Sequence, residues 1–247
     1  MTHNISTIWK QALGLLRANI GQVFLVHIAY IALATIVFTP LSGLLAQFLL
    51  GLSGQAALAD QDIAYFLLTP LGMGSMIILA ALLITTLVFE QASLMGISAG
   101  RMLGHNVRVM SALIFTVKRM HNIYLFAIRL VVRVLILILP FLAAAGAIGW
   151  LLMTNYDINY YLAEKPPQFL IAAIVIVLLL LGMLMLLASK LLSWSFALPL
   201  VLFTDVSPAR AFIESEKLTH GIKHLLLKIF STWLVLALLL GALVLVV

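Results

Sequence analysis

The sequence predicts an all-α membrane protein that crosses the bilayer several times, and three observations support this prediction. Of its 247 residues, 64% are apolar and 9% are charged, whereas soluble domains average about 45–50% apolar and about 25% charged residues. Five apolar runs are long enough to form a membrane-spanning helix, which needs ~20 residues to cross a ~30 Å hydrocarbon core. The basic residues concentrate in alternate gaps between these runs.

The charge distribution also predicts an orientation, because Lys and Arg are retained on the cytoplasmic side of membranes. Of the fourteen basic residues, ten belong to one side, whereas Lys165 falls on the other side with Asp60, Asp62, Asp157 and Glu164. We therefore expect a cytoplasmic N-terminus and a fifth span that ends outside. The ten basic residues are Lys10, Arg17, Arg101, Arg108, Lys118, Arg119, Arg210, Lys217, Lys223 and Lys228.

The chain begins with an interfacial helix and a span. Residues 5–18 place most apolar side chains on one helical face, with Lys10 and Arg17 toward the other. This pattern predicts an amphipathic helix at the membrane surface. The first span follows at about 21–38, and Pro40 predicts a kink in its continuation.

The middle of the chain repeats this arrangement. A second span is predicted at about 71–95, and the two-sided pattern of residues 107–119 predicts a second interfacial helix. The third span follows at about 123–153, and Pro140 predicts a kink within it.

The last third of the chain contains two more spans. The fourth, at about 169–203, is long enough to tilt or break, and Pro199 predicts the break. Ser207 followed by Pro208 predicts the start of a third interfacial helix, because a hydroxyl cap and a proline both favour a first turn. Gly221 predicts its end, and the fifth span takes up the remaining residues.

Three times, an amphipathic helix with a basic end precedes a span that runs outward. This pattern is typical either of an internal repeat or of three unrelated interfacial helices. The first two outward spans have return spans, but the third ends on the apolar residues 242–247. We therefore expect residues 1–247 to form a single integral membrane domain, cut from a longer protein, with a sixth span to follow.

Four ionisable residues lie inside the predicted spans: Glu90, Arg129, Arg133 and Lys190. Charges at membrane depth are costly and are usually paired or face a polar cavity. Arg129 and Arg133 are four residues apart and share a helix face. Three interpretations remain open: snorkelling of the long side chains to the interface, a structural ion pair between Glu90 and an arginine, or a site for an anionic lipid head group.

The histidines suggest structural contacts. His27 lies within the first span, where a hydrogen bond to a neighbouring helix is favoured over a proton relay. His220 and His224 have the spacing of a metal pair, but no third ligand lies nearby. Lys217 and Lys223 beside them favour a basic helix end that faces lipid phosphate. No metal site and no cofactor are predicted in this segment.

Several function classes are excluded by composition. The net charge of +6 does not predict nucleic-acid binding, because the bases flank membrane spans, where they face anionic lipid, and no aromatic residues alternate with them. The chain has no cysteine, which excludes disulfides, thiolate metal sites and Cys nucleophiles. No glycine-rich phosphate loop, serine elbow or carboxylate cluster is present, so no catalytic residue is predicted.

The outer gap between the third and fourth spans carries the most specific motif. It reads DINYYLAEKPPQF, which is typical of a short Asx-capped helix or turn closed by a Pro-Pro pair, with its tyrosines at the interface. This string resembles the outer loop in the membrane domain of bacterial membrane-anchored glycerophosphodiester phosphodiesterases. The positions that carry the resemblance are Asp157, Asn159, Tyr161, Pro166 and Pro167.

Two further segments point to the same family. One is the string WSFALP, with Trp194 and Pro199 at its ends, and the other follows Ser207-Pro208 and includes Ser215 and Gly221. Phe89-Glu90, before the basic gap, is a fainter similarity.

The resemblance implies a non-catalytic anchor in the bacterial cytoplasmic (inner) membrane. It implies that a soluble (β/α)-barrel follows in the same chain and hydrolyses glycerophosphodiesters with a divalent metal. Since the opening His-Arg-Gly signature of that barrel does not occur here, no catalytic residue can be transferred to these residues. The implied partners are the phospholipid bilayer, anionic lipids at the cytoplasmic face and the downstream catalytic domain, which the anchor holds at the outer face and can supply with lipid-derived substrate.

Two other functions fit the same pattern. The weak repeats, the proline-broken spans and the intramembrane charges are also typical of a stand-alone transporter or lipid-handling permease. A structural subunit of a membrane complex is the third interpretation.

Overall fold

The computed structural model describes residues 5–53, 69–153, 156 and 158–246, and the regular elements within them are all helices. This confirms the predicted all-α fold. The helices are α1 (Ile5–Ser53), α2 (Pro70–Met102), α3 (Val109–Lys118), α4 (Met120–Met153), α5 (Ile158–Glu164), α6 (Pro167–Ser193), α7 (Ala197–Phe203), α8 (Ala211–Thr219) and α9 (Lys223–Val246).

Four segments of the described chain are long and apolar enough to cross a membrane: Ser6–Leu41, Pro70–Met102, Met120–Met153 and Pro167–Phe203. The pair α8 and α9 is bent by 96° and adds a fifth segment when counted as one span. The four segments cover the first four predicted spans, and the fifth predicted span corresponds to the α9 part of the bent pair. Trp150 and Met185 are each 74% exposed, and soluble proteins rarely show contiguous apolar surface of this kind. The helices are therefore built to be solvated by hydrocarbon.

The first interfacial helix and the first span form one element, α1, with a kink at Asn19. This residue has non-helical dihedral angles (φ −126°, ψ 15°), and its buried side chain donates a hydrogen bond to the carbonyl oxygen of Leu15 (2.8 Å). The kink lies between the predicted amphipathic helix at residues 5–18 and the predicted span at about 21–38. Pro40 and Pro140, where kinks were predicted, lie inside α1 and α4 and end neither helix.

The fourth span is broken, but earlier than predicted. α6 ends at Ser193 and α7 begins at Ala197, so the break lies before Pro199. Proline lacks the N–H that would bond the carbonyl four residues earlier, and its ring clashes with that carbonyl, so it is tolerated in a first turn. Pro199 occupies the first turn of α7, and the helix gives way on its N-terminal side.

The third interfacial helix also differs from the prediction at its start. Residues 208–210 form a turn, and α8 begins three residues after Pro208, with Arg210 at the N-cap and no side-chain cap. The backbone carbonyl of Arg210 accepts the N–H of Glu214 (3.0 Å), so Arg210 serves the position predicted for Ser207. The predicted end is confirmed, because Gly221 has φ +86°, a conformation that favours glycine.

The loop between α4 and α6 contains the predicted short helix. α5 is followed by Lys165 with φ 47°, and Pro167 is the first residue of α6 with Pro166 as its N-cap. The Pro-Pro pair thus ends one helix and starts the next. The predicted cap residue, Asp157, lies outside the described residues.

Helix contacts divide the chain into two compact units. The first unit comprises Met1–Ile128 with Val201–Pro208, and the second comprises Arg129–Leu200 with Ala209–Val247. In the second unit α6 packs against α8 and α9.

The first unit has a core where α1, α2 and α3 meet. Val26, Tyr30, Ile97 and Ala112 are buried in this core. α3 approaches α2 closely at Gly96, where a Cβ would lie 3.2 Å from the Phe115 ring. The two helices are therefore tightly packed at this point.

Candidate functional site

The intramembrane ionisable residues divide between the two units. Glu90 lies on α2 in the first unit, and Lys190 lies on α6 in the second. Arg129 and Arg133 lie one turn apart on the part of α4 that belongs to the second unit, and both are half-buried. Each unit therefore has its own polar site.

In the first unit, Glu90 pairs with His27. Oε1 of Glu90 and Nδ1 of His27 lie 2.7 Å apart, a hydrogen-bond distance. The Glu90 side chain is 11% exposed and that of His27 is 54% exposed. The predicted bond from His27 to a neighbouring helix is confirmed. From sequence we considered an arginine as the partner of Glu90, whereas the structure shows the histidine in that role.

A second polar contact lies one turn along the same two helices. The hydroxyl groups of Tyr30 and Ser93 are 3.0 Å apart, and Ser93 Oγ lies 2.8 Å from Thr116 Oγ1 of α3. Three helices are thus joined by hydroxyl groups in a buried setting. The contact was not predicted. On each helix the two polar residues are three positions apart, His27 and Tyr30 on α1 and Glu90 and Ser93 on α2, and this spacing places them on one face.

In the second unit, Glu216 of α8 is the centre of the polar site. Its Oε1 accepts hydrogen bonds from Lys190 Nζ (3.1 Å) and from Trp194 Nε1 (3.0 Å). Partial burial raises the pKa of Glu216, but the bonds from Lys190 and Trp194 and the charges of Lys190 and Lys223 outweigh this, so its pKa lies below the ordinary 4.5. Lys190 is therefore an ion-paired residue at the end of α6.

Arg133 lies against two aromatic rings of the same site. Its guanidinium carbon is 4.4 Å from the centroid of Phe212 and 6.0 Å from that of Trp194. The two rings meet edge to face, with centroids 5.4 Å apart. A guanidinium over aromatic faces is stabilised by the ring quadrupoles. Arg133 and Lys190 thus both lie at the group formed by Trp194, Phe212 and Glu216.

Ser215 explains how the break in the fourth span is stabilised. Its Oγ donates to the carbonyl oxygen of Ser193 (2.6 Å) and accepts the backbone N–H of Phe196 (3.1 Å). Thr219 Oγ1 also bonds the Ser193 carbonyl (3.3 Å). These are backbone groups at the ends of α6 and α7 that the break leaves without helical partners. Trp194, Ser215 and Thr219 therefore hold α8 against the broken span.

The motif in the loop between α4 and α6 is anchored by one tyrosine. Tyr161 is 2% exposed, and its ring stacks on that of Phe169 with centroids 5.9 Å apart. Tyr160 and Tyr156 lie beside it at the surface of the loop. Asn159 is exposed. The motif thus folds this loop onto the start of α6.

These contacts hold helices together within each unit. In the part of the chain that the structure describes, no three His, Asp or Glu side chains come together as a metal site would require. The two units therefore define a polytopic helical membrane domain with polar contacts between helices.

Comparison with known families gives a more specific identification. The chain belongs to the family described as the membrane domain of glycerophosphoryl diester phosphodiesterase, which matches residues 9–247. This confirms the resemblance inferred from the outer loop. The comparison with curated proteins gave no match, and neither did the comparison with solved structures.

The site of Glu216 leads to a prediction about pH. A carboxylate whose pKa is lowered by folding stabilises the fold above its ordinary pKa, and that contribution is lost as pH falls through the folded value. We expect the Glu216→Gln variant to unfold at a lower temperature than wild type at pH 7, and the difference to shrink below pH 4.5. Thermal unfolding in detergent at both pH values measures this.

The matched control is Glu214→Gln, which removes a carboxylate from the same helix. Glu214 pairs with Lys217 of its own helix (2.8 Å), whose side chain is 66% exposed, and such pairs contribute little. We expect little change at either pH. A difference between wild type and Glu216→Gln that stays constant from pH 7 to pH 3 would contradict the role of its charge.

Proposed function

We propose that this domain anchors a phosphodiesterase domain of the same polypeptide at the outer face of the bacterial cytoplasmic membrane and supplies it with lipid-derived substrate. Membership of the family carries the proposal, because its description names the membrane part of such an enzyme. The apolar spans support the anchoring role, since several helices of this length make insertion effectively irreversible.

The orientation follows from charge. The short helices α3 and α8 lie in gaps rich in basic residues, which favours their placement at the cytoplasmic face. Anionic lipids there are the partners that these bases would contact, and Arg129 with Arg133 offers a further contact for a head group. The bases of the two gaps proposed to face lipid are Lys118, Arg119, Arg210, Lys217 and Lys223.

The outer position of the catalytic domain depends on the number of spans. Five spans from a cytoplasmic N-terminus end outside, and each further span reverses the side. The single sixth span expected from the sequence would return the chain to the cytoplasm, so that expectation and an outer catalytic domain agree only if a seventh span follows the sixth.

The test uses the whole gene product. We expect its reading frame to encode a barrel with a His-Arg-Gly signature and its diesterase activity to sediment with membranes after an alkaline wash. Deletion of the membrane domain should move the activity on a water-soluble glycerophosphodiester to the supernatant. A reading frame without such a barrel, or diesterase activity that stays soluble in the intact protein, would contradict the proposal.

The His27–Glu90 pair favours a second function, a permease, because ionisable residues at membrane depth often mark a transport path. The Glu90→Gln variant separates the two functions. The anchor predicts unchanged diesterase activity in the membrane fraction and no effect on uptake. A permease predicts that uptake of a glycerophosphodiester is lost while the protein is expressed normally.

A further inference from the structure

The first unit contains an open groove of about 450 Å³ between α1, α2 and α3. Its walls include Leu33 of α1, Phe89 of α2 and Val117 of α3. None of the described residues that line the groove is charged, and its polar residues are Tyr30, Thr85 and Thr86.

The polar atoms of the lining are already used. The hydroxyl groups of Thr85 and Thr86 donate to backbone carbonyls one turn earlier in α2, at 2.7 and 3.0 Å. The hydroxyl group of Tyr30 bonds Ser93. A polar ligand would find few partners in such a groove, whereas an apolar chain would lose nothing by entering it. The groove therefore suits a hydrocarbon chain.

Charge near the groove selects the head group of the lipid. Val117 is followed in the chain by Lys118 and Arg119, at the end of α3. Lys118 is exposed, and Arg119 is held with its guanidinium carbon 5.3 Å from the centroid of the Phe115 ring. Residues 91–128 contain four Lys or Arg residues and no Asp or Glu. A negatively charged head group is thus the complement of this end of the groove.

We infer that the groove binds one acyl chain of an anionic phospholipid, with the lipid phosphate at Lys118 and Arg119. The inference rests on the membrane-anchor function proposed above and adds a defined lipid site to it. A lipid held between three helices would also fill space that their side chains leave open, and it would tie α3 to the membrane surface.

Native mass spectrometry of the detergent-purified chain tests the site, with phosphatidylglycerol and phosphatidylethanolamine of the same acyl composition as probes. We expect wild type to retain phosphatidylglycerol in preference to phosphatidylethanolamine. Val117→Trp places an indole in the groove. If the indole displaces two methylene groups of the acyl chain, the affinity for the lipid falls about tenfold. Lys118→Gln is expected to lower the affinity for phosphatidylglycerol about fivefold.

The matched control is Ile114→Trp. Ile114 lies on the same helix, is 47% exposed and does not line the groove, so this variant should retain lipid as wild type does. Equal retention by Val117→Trp and Ile114→Trp would overturn the site, and equal binding of the two lipids by wild type would overturn its selection of anionic lipid. Both variants should still sediment with membranes, and release from membranes would count against the anchor instead.

Discussion

The Ser215→Ala variant is expected to lose about 1–3 kcal/mol of unfolding free energy, the cost of leaving a buried polar group without its bond. Ser215 is fully buried and bonds both the Ser193 carbonyl and the Phe196 N–H at the break between α6 and α7. Alanine fits the space but leaves the Phe196 N–H without that partner. Unfolding of the purified protein in detergent, followed by circular dichroism, measures the loss.

Ser195→Ala provides the control for this experiment. Ser195 also lies in the break, but its hydroxyl bonds only the nearby carbonyl of Leu192 (2.9 Å) and is half-buried. We expect a change of at most about 0.5 kcal/mol, as for substitutions away from buried networks. Equal stability of Ser215→Ala and Ser195→Ala would show that the break does not depend on Ser215.

The second large effect is expected at the His27–Glu90 pair. Removing Glu90 deletes a buried side chain together with its bond to α1. The pair is measured by a cycle of His27→Ala, Glu90→Ala and the double variant, which isolates the interaction between the two side chains. Hydrogen bonds between membrane helices average about 0.6 kcal/mol and reach about 1.7 kcal/mol. We expect a coupling toward the upper end, because both partners are ionisable.

The cycle also distinguishes this pair from simple packing. Effects of the two single substitutions that add up in the double variant would mean that His27 and Glu90 do not interact. A cycle of His27→Ala with Ser98→Ala serves as control, because Ser98 lies on α2 and bonds the carbonyl of Leu94 in its own helix (2.9 Å). That cycle should show no coupling.

Helix positions followed from the sequence because membrane spans depend on local properties. Length, apolar content and periodicity predicted the long apolar helices and the short helices α3 and α8 between them. Their junctions were less predictable. A kink lies at Asn19, where no proline marks it, and the break in the fourth span lies before Pro199. Helix α8 begins after Pro208 rather than at it.

The partners of the charged residues could be predicted only in part. Lys190 and Arg133 were recognised because charges are conspicuous in an apolar run. Glu216, the partner of Lys190, was not recognised, since an acid in a basic gap resembles an ordinary solvated residue. Ser215 was recognised as part of a family motif. Its role depends on the backbone groups of Ser193 and Phe196, which lack helical partners because the span breaks between α6 and α7. Tertiary contacts of this kind leave no local pattern in one sequence.

The most direct test of the oriented membrane domain is cysteine labelling, and the absence of native cysteine makes it simple. The two variants are Asn159→Cys, in the exposed outer loop, and Asn106→Cys, in the exposed basic loop between α2 and α3. We predict that an impermeant thiol reagent added to intact cells labels Asn159→Cys at once and Asn106→Cys only after the membrane is permeabilised. The opposite pattern, or immediate labelling of both, would contradict the orientation on which the proposed function depends.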